Sequence, residues 1–410
     1  MKTDIRDLAI FGNAPEFADA LHVGRPNIGD VESFGRRLRE ILESRWLTNG
    51  GPFVCEFEEA IARFLGVKHC IAMCNGTVAM EIAIRALGLT GEVIVPSFTF
   101  IATPHALQWS GITPVFCDID RATHSINPKC VESLITSRTS GIIGVHLWGG
   151  PCEIEALSRI AEEHSLKLLF DAAHAFGCSY NGRMIGSFGE LEVFSFHATK
   201  FFNTFEGGLV ATDNDALAER IRLMSNYGFA GEDEVISIGT NGKMSEVSAA
   251  MGLTGLESLE EFVAANHRNY LEYERQLAGL PGVRLYKHDQ KERCNYQYVV
   301  AEIDEHETGI TRDQLQKILW AENVLARRYF YPGCHRMEPY RSDVSRVDLL
   351  LPESELLCNR VLVLPNDTSV SVQDVAAICR TIRLTLENAT EVTSLLAQRS
   401  SDRIAAEVSA

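Results

Sequence analysis

The 410-residue sequence lacks any pair of cysteines at C-x-x-C spacing, although it contains eleven cysteines. It also lacks a long uninterrupted apolar segment. The longest stretch without Asp, Glu, Lys or Arg runs from Val93 to Cys117, and Pro96, Pro104 and Pro114 interrupt it. These absences exclude a membrane-spanning helix and give no sign of a zinc site, so we expect no metal.

Positive charge is also scarce: the chain has 38 Lys and Arg but 55 Asp and Glu, which gives a net charge of −17. Such a chain repels phosphodiester backbones and anionic lipid, so we expect neither nucleic-acid binding nor membrane docking. The segment Met1 to Asp7 is charged and has no apolar core typical of a secretory signal. We therefore expect a cytoplasmic protein with reduced cysteines.

Short β-branched runs alternate with helical periodicity from about residue 68 onward, which indicates crossover connections and a mostly parallel sheet. The predicted fold is α/β: a large domain whose sheet is covered by helices, followed by a smaller α+β domain. We place the large domain at 1–265, the small domain at 266–390 and a disordered tail at 391–410, because the last segment is polar and rich in Ala and Ser. The predicted strands are 68–74, 92–95, 114–119, 141–147, 166–171, 192–196, 208–212, 283–287 and 296–303, and the predicted helices are 77–87, 101–109, 154–164, 215–224, 251–266, 312–322 and 372–386.

Lys200 ends the segment SFHATK, which follows a predicted strand. A lysine at a strand end can lose enough hydration to become a Schiff-base nucleophile, although a loop lysine is more often a solvated charge. Asp171 ends another strand, in LLFDAAHA, where it would cap a helix or pair with a cation. Together they suit pyridoxal phosphate, which needs both a lysine and a carboxylate near its ring nitrogen.

Two further predicted strand ends are followed by residues that could bind an anion and by an aromatic ring. Gly76 and Thr77 lie between a strand and a helix, where backbone N–H groups favour a phosphate, although a plain turn with a helix cap explains them equally well. Phe100, in PSFTFIAT, would stack on a planar ring or serve only as core. The combination of four strand ends favours a site over four unrelated structural roles.

These segments resemble the DegT-type sugar-nucleotide aminotransferases of the aspartate-aminotransferase (type I) fold. The likeness runs from about Leu47 to the final helix and also includes EGG at 206–208 and GTNGKMSE at 239–246. It implies pyridoxal 5'-phosphate as the cofactor, becoming pyridoxamine 5'-phosphate in the half-reaction. It also implies a homodimer with shared active sites. The implied roles are Lys200 as the Schiff-base lysine, Asp171 beside the pyridine nitrogen, Phe100 on the ring, Gly76, Thr77 and Ser195 at the phosphate, and Asn241 reaching that phosphate from the other subunit.

Two positions depart from common family forms. His174 stands where the family often has Gln near the cofactor's phenolic oxygen, and Phe100 stands where it often has Trp or Tyr. Both residues keep a hydrogen-bonding group or a π-face. Asn241 also has a simpler explanation as the φ > 0 residue of an Asn-Gly turn.

Within the family the chain is similar to C4 aminotransferases of deoxyaminosugar pathways in antibiotic-producing bacteria, notably the desosamine pathway. The likeness lies in VGRPN at 23–27, GVHLWG at 144–149 and YPGCHRMEPY at 331–340. It implies conversion of dTDP-4-keto-6-deoxy-D-glucose to dTDP-4-amino-4,6-dideoxy-D-glucose with L-glutamate as amino donor. We expect Tyr331 or His335 to contact the substrate, and Arg328 or Lys243 to pair with its diphosphate, unless these are a turn and surface charges.

Two alternatives remain at this stage. A C3 aminotransferase acting on a dTDP-3-keto-6-deoxyhexose would use the same cofactor residues. A non-catalytic regulatory or binding protein that kept the fold is disfavoured by the presence of both Lys200 and Asp171.

Overall fold

The computed structural model describes residues 2–342 and 350–408, with residues 400–408 described by their backbone alone. Its strands are β1 (Leu21–His22), β2 (His69–Met73), β3 (Glu92–Pro96), β4 (Thr113–Cys117), β5 (Thr139–Val145), β6 (Lys167–Asp171), β7 (Ser179–Tyr180), β8 (Arg183–Met184), β9 (Leu191–Ser195), β10 (Gly208–Thr212), β11 (Val283–Leu285), β12 (Val299–Ile303), β13 (Val324–Leu325) and β14 (Val361–Leu364).

Helices cover both faces of the sheets and connect the strands. They are α1 (Val31–Ser44), α2 (Pro52–Leu65), α3 (Gly76–Ala86), α4 (Ala102–Trp109), α5 (Pro128–Leu134), α6 (Ile154–Glu163), α7 (Asp215–Ser225), α8 (Glu246–Glu257), α9 (Leu259–Leu277), α10 (Glu305–Thr308), α11 (Arg312–Ala321), α12 (Pro352–Arg360), α13 (Val372–Glu387) and α14 (Ala389–Val408). Short 3-10 helices lie at Ile5–Asp7, Ala9–Phe11, Cys334–Arg336 and Tyr340–Ser342.

The central sheet has seven strands in the order β2-β10-β9-β6-β5-β3-β4. Only β10 runs antiparallel to its neighbours, so the other six strands point the same way. This confirms the predicted α/β fold with a mostly parallel sheet. The carboxyl ends of β2, β3, β6 and β9 consequently open at one edge, where α/β sheets bind ligands.

The smaller part of the chain is built on the antiparallel sheet β11-β12-β14, with α11 and α13 nearby. The predicted helix at 251–266 is two helices, since α8 ends at Glu257 and α9 begins at Leu259. Helix α9 continues to Leu277 and therefore crosses the predicted boundary at residue 265. The domain boundaries stay a prediction.

The tail prediction is wrong for its described part, because residues 391–408 belong to α14. Val392, Leu395 and Leu396 recur at helical spacing and pack with Ile5 and Leu8 of the N-terminal segment. Val392 is completely buried there. A polar composition hid this narrow apolar face, which the N-terminal segment covers together with Ile310 and Ile318.

Sequence patterns also missed α1, α2, α5, α12 and β14. Helix α2 buries Phe57, Ile61 and Leu65 at i, i+4 and i+8, which is a helical signal that composition alone does not reveal. Within the described residues, no helix combines the length and apolarity that crossing a bilayer requires. Nor do those residues include a cluster of three His, Cys, Asp or Glu arranged to hold a metal ion.

Candidate active site

Lys200 lies in the loop that follows β9, with its backbone N–H donating to the carbonyl of His197 at 2.8 Å. The side chain is half-buried. Burial lowers the pKa of the Lys200 amine to about 8, and the carboxylate of Asp171 opposes that shift only in part. The amine is therefore far more often neutral at physiological pH than an ordinary lysine.

Asp171 ends β6, and two donors orient its carboxylate. The hydroxyl of Thr103, on α4, donates to Oδ2 at 2.7 Å, and the backbone N–H of Ala173 donates to Oδ1 at 3.1 Å. Thr103 is buried and is a site residue that the sequence reasoning missed. Its only signal was its place at the end of the PSFTFIAT motif.

Gly76 and Thr77, the residues predicted to hold a phosphate, lie at the start of α3. Asn75 caps the helix by accepting from the N–H of Val78 at 2.8 Å, which leaves Gly76 and Thr77 as its first residues. A Cβ at Gly76 would lie only 3.0 Å from the Cβ of Ser195, at the end of β9. The close approach of these two segments thus favours glycine, and it places Ser195 beside helix N–H groups that have no partner within the helix.

Phe100 lies between β3 and α4, and 57% of its surface is exposed. Its carbonyl accepts from the N–H of Thr103 at 3.2 Å, which links the aromatic residue to the donor of the Asp171 carboxylate. The ring is therefore not a core residue, contrary to the simpler of the two sequence interpretations.

His174 is buried near Lys200, and its Nδ1 has no hydrogen-bond partner among the described residues. Burial, together with the positive charge of Lys200, holds the pKa of its imidazole well below the usual value. Its ring packs against Tyr298, Trp148 and Phe330, with centroids 4.3, 5.7 and 6.2 Å away. Sequence reasoning missed this aromatic wall because Tyr298 and Phe330 come from distant parts of the chain.

Asn241 and Lys243 lie beside the end of β2 in the same chain. Gly242 accepts from the N–H of Cys74 at 2.7 Å, and the side chain of Asn241 is exposed. Asn241 is not among the residues with positive φ, so the simple turn explanation does not apply. The Nζ of Lys243 donates to Asn226 at 2.8 Å, and burial lowers the pKa of this amine.

The other three candidates lie on the segment after β13 and are largely engaged elsewhere. Arg328 forms an ion pair with Asp313 at 3.0 Å and stacks over the ring of Tyr331. His335 is buried, with Nδ1 bonded to Ser97 and Nε2 3.1 Å from Glu355. A ligand would have to displace one of these bonds to reach either ring nitrogen. Tyr331 is 42% exposed, and its contact with substrate stays a prediction.

Comparison with known proteins identifies the family. The model of the DegT/DnrJ/EryC1/StrS aminotransferase family matches residues 30–383. The dTDP-4-amino-4,6-dideoxy-D-glucose transaminase of Escherichia coli is 36% identical over 361 residues, covering 87% of this chain and 96% of the relative. The GDP-perosamine synthase of Caulobacter vibrioides is 37% identical over 320 residues, covering 77% and 85%.

Among solved structures, the crystal structure of DesI in the presence of its TDP-sugar product has a TM-score of 0.92 and 49% sequence identity. That match covers 96% of this chain and all of DesI. The arrangement of strand ends and the matches in sequence and structure lead to one conclusion. This chain belongs to the DegT/DnrJ/EryC1/StrS aminotransferase family.

Proposed function

We propose that this aminotransferase uses pyridoxal 5'-phosphate, held by Lys200 and Asp171. The observation that carries the proposal is a half-buried lysine of lowered pKa near an oriented carboxylate, at the edge where four strands end. Two features fit the cofactor. The buried Nδ1 of His174 has no hydrogen-bond partner within the described part of the chain, and a Cβ at position 76 would lie only 3.0 Å from the Cβ of Ser195.

When bound, pyridoxal phosphate supplies an aldehyde that carries nitrogen and a ring that takes up electrons. Gly76, Thr77 and Ser195 would hold its phosphate, and Phe100 would cover one face of its ring. The Nζ of Lys200 accepts a proton when neutral and returns it when charged, which its lowered pKa favours near neutral pH. Asp171, oriented by Thr103, would pair with a protonated pyridine nitrogen.

The proposed substrate is dTDP-4-keto-6-deoxy-D-glucose, aminated at C4 with L-glutamate as donor to give dTDP-4-amino-4,6-dideoxy-D-glucose. The name of the E. coli relative and the TDP-sugar in the DesI structure support this choice. GDP-perosamine synthase, which is equally similar in identity, makes the nucleotide the first point to test.

Incubation with synthetic nucleotide sugars tests the proposal directly. The arms are dTDP-4-keto-6-deoxyglucose, its GDP counterpart and a dTDP-3-keto-6-deoxyhexose, each with glutamate. We expect 2-oxoglutarate to form with the first sugar and NMR to locate the new amine at C4. Turnover of only the 3-keto sugar, or of only the GDP sugar, would contradict the proposed substrate.

We also propose a homodimer in which Asn241 reaches the phosphate site of the partner subunit. In its support, the hairpin that precedes Asn241 exposes apolar side chains that a second copy would cover, namely Tyr227, Phe229, Val235, Ile236 and Ile238. The free state of all eleven cysteines supports a reducing compartment, and we propose the cytoplasm.

Mixed dimers test the shared site. Asn241→Asp would set a carboxylate against the phosphate, and Lys200→Ala removes the amine. If the site is shared, a mixed dimer holds one site with both lesions and one with neither, because a two-fold axis exchanges residues reciprocally. Refolding an equal mixture should therefore restore about a quarter of wild-type activity per site. No gain over the separate variants would refute the shared site.

A further inference from the structure

Trp148, in the loop after β5, is completely buried and forms part of the wall behind His174. Its indole stacks on Phe330 at 5.4 Å with an interplanar angle of 11°. Its centroid lies 5.7 Å from that of His174, which is close enough to Lys200 for the charge of that amine to lower the pKa of the imidazole. The orientation of this indole therefore bears on where the His174 ring lies.

A buried indole N–H needs an acceptor, because the group can only donate. The Nε1 of Trp148 donates to the Nδ1 of His124 at 3.2 Å, and His124 is 1% exposed. Nδ1 must therefore carry no proton. In this tautomer Nε2 carries the proton and donates to Oε1 of Glu302 at 3.2 Å.

Arg284 is a second donor to Glu302, because its Nε donates to the same oxygen, Oε1, at 3.0 Å. This bond helps to hold the carboxylate in place as the acceptor for His124. Burial raises the pKa of the Glu302 carboxyl, but the hydrogen bonds from His124 and Arg284 outweigh this effect and lower it. The hydrogen bonds from Trp148 to His124 and from His124 to Glu302 join three separate segments. They are the loop after β5 that carries Trp148, the turn after β4 that carries His124, and strand β12 that carries Glu302.

We propose that His124 is a positioning residue for the amino transfer, acting by fixing the indole of Trp148 against His174. This inference rests on the proposed function. An apolar residue at position 124 would leave a buried N–H without an acceptor, and the indole would turn to find one. Since Trp148 packs on His174 and Phe330, that turn displaces the wall of the site, and small displacements cost large factors in rate.

The test compares His124→Leu with His124→Asn. Leucine cannot accept a hydrogen bond, whereas the Asn carbonyl can replace Nδ1, and Asn tolerates the positive φ of 59° at this position. We expect His124→Leu to lower kcat about tenfold to a hundredfold, with KM for the sugar changed less than about threefold. His124→Asn should recover kcat to within about threefold of wild type.

Trp148→Phe supplies the second arm, because phenylalanine has no N–H to satisfy. In that background His124→Leu should cause no further loss of kcat. Trp109→Phe is the matched control, since Trp109 is 80% exposed on the outer end of α4, and its activity should match wild type. Near-ultraviolet circular dichroism of the apoprotein gives a readout without activity: His124→Leu should weaken the tryptophan bands, and His124→Asn should restore them.

Equal losses in His124→Leu and His124→Asn would overturn the proposal, as would an undiminished effect of His124→Leu in the Trp148→Phe background. Failure of the proposed function is a different result. In that case wild-type protein would not aminate the sugar at all, while the circular dichroism series would still decide whether His124 orients Trp148.

Discussion

Two buried histidines distinguish the edge of the central sheet from the segment after β13. His174, at the sheet edge, has an Nδ1 without a hydrogen-bond partner among the described residues, whereas His335 uses both ring nitrogens on Ser97 and Glu355. Because buried polar groups are normally satisfied, the free Nδ1 of His174 fits a ligand at this edge, where the other candidate site residues also lie. The satisfied one indicates a role in holding the fold.

The cations of the two regions differ in the same way. Lys200 has no ion pair within the described chain, and burial lowers its pKa, while Arg328 is neutralised by Asp313 at 3.0 Å. Functional groups at the sheet edge are thus kept available at some cost in hydration. Polar groups after β13 are engaged with partners on other elements, namely Asp313, Ser97 and Glu355, although the sequence analysis gave both regions a part in binding.

The largest expected effect is that of Lys200→Ala. Removing the only amine at this strand end should abolish turnover and leave the fold intact, because the reaction loses its nucleophile and proton carrier. Turnover with glutamate measures the loss of activity, and far-ultraviolet circular dichroism shows whether the fold is intact. Lys129→Ala, at an exposed lysine of α5, is the control and should match wild type. Turnover of the Lys200 variant within tenfold of wild type would contradict the assignment of Lys200 as the Schiff-base lysine.

Asp171→Asn should have the next largest effect. Asparagine can keep the bond from Thr103 but has no negative charge, so it does not favour a protonated pyridine nitrogen. We expect kcat to fall about a hundredfold to ten-thousandfold. Steady-state kinetics with separate kcat and KM check this. A change confined to KM would show that Asp171 contributes to binding only.

The pKa of Lys200 predicts how cofactor uptake by the apoprotein depends on pH. Only the neutral amine attacks an aldehyde, and its fraction rises with pH until the pKa of about 8 is passed. The uptake rate should therefore rise about tenfold between pH 7 and 9 and then level off. Absorbance of the bound cofactor follows the rate. A rate that still climbed about sevenfold between pH 9 and 10 would indicate an ordinary lysine.

The smallest effect on catalysis is expected from His335→Ala. Losing the bonds to Ser97 and Glu355 should lower the free energy of unfolding by about 1–3 kcal/mol, while kcat and KM stay within about twofold of wild type. Urea denaturation and steady-state kinetics measure these. A tenfold rise in KM for the nucleotide sugar would instead place His335 at the substrate and remove the contrast between the two regions.

Much of the fold follows from local sequence patterns. Most predicted strands and helices agree with the structure to within a few residues, because alternation and helical periodicity are local properties. Elements whose apolar residues meet distant partners were missed, among them α1, α2 and β14. The tail was wrong for the same reason, since Val392 packs in a cluster with Ile5 and Leu8 from the other end of the chain and with Ile310 and Ile318.

The sequence by itself predicted the chemistry of the site, because Asp171 ends a strand, Lys200 follows another, and parallel strands bring such ends to one edge. Only the tertiary structure decided which polar groups stay free. Thr103 holds Asp171, three aromatic rings surround His174, and Ser97 and Glu355 engage His335. The physical reason is that availability depends on contacts between residues far apart in the chain, and no local pattern records such contacts.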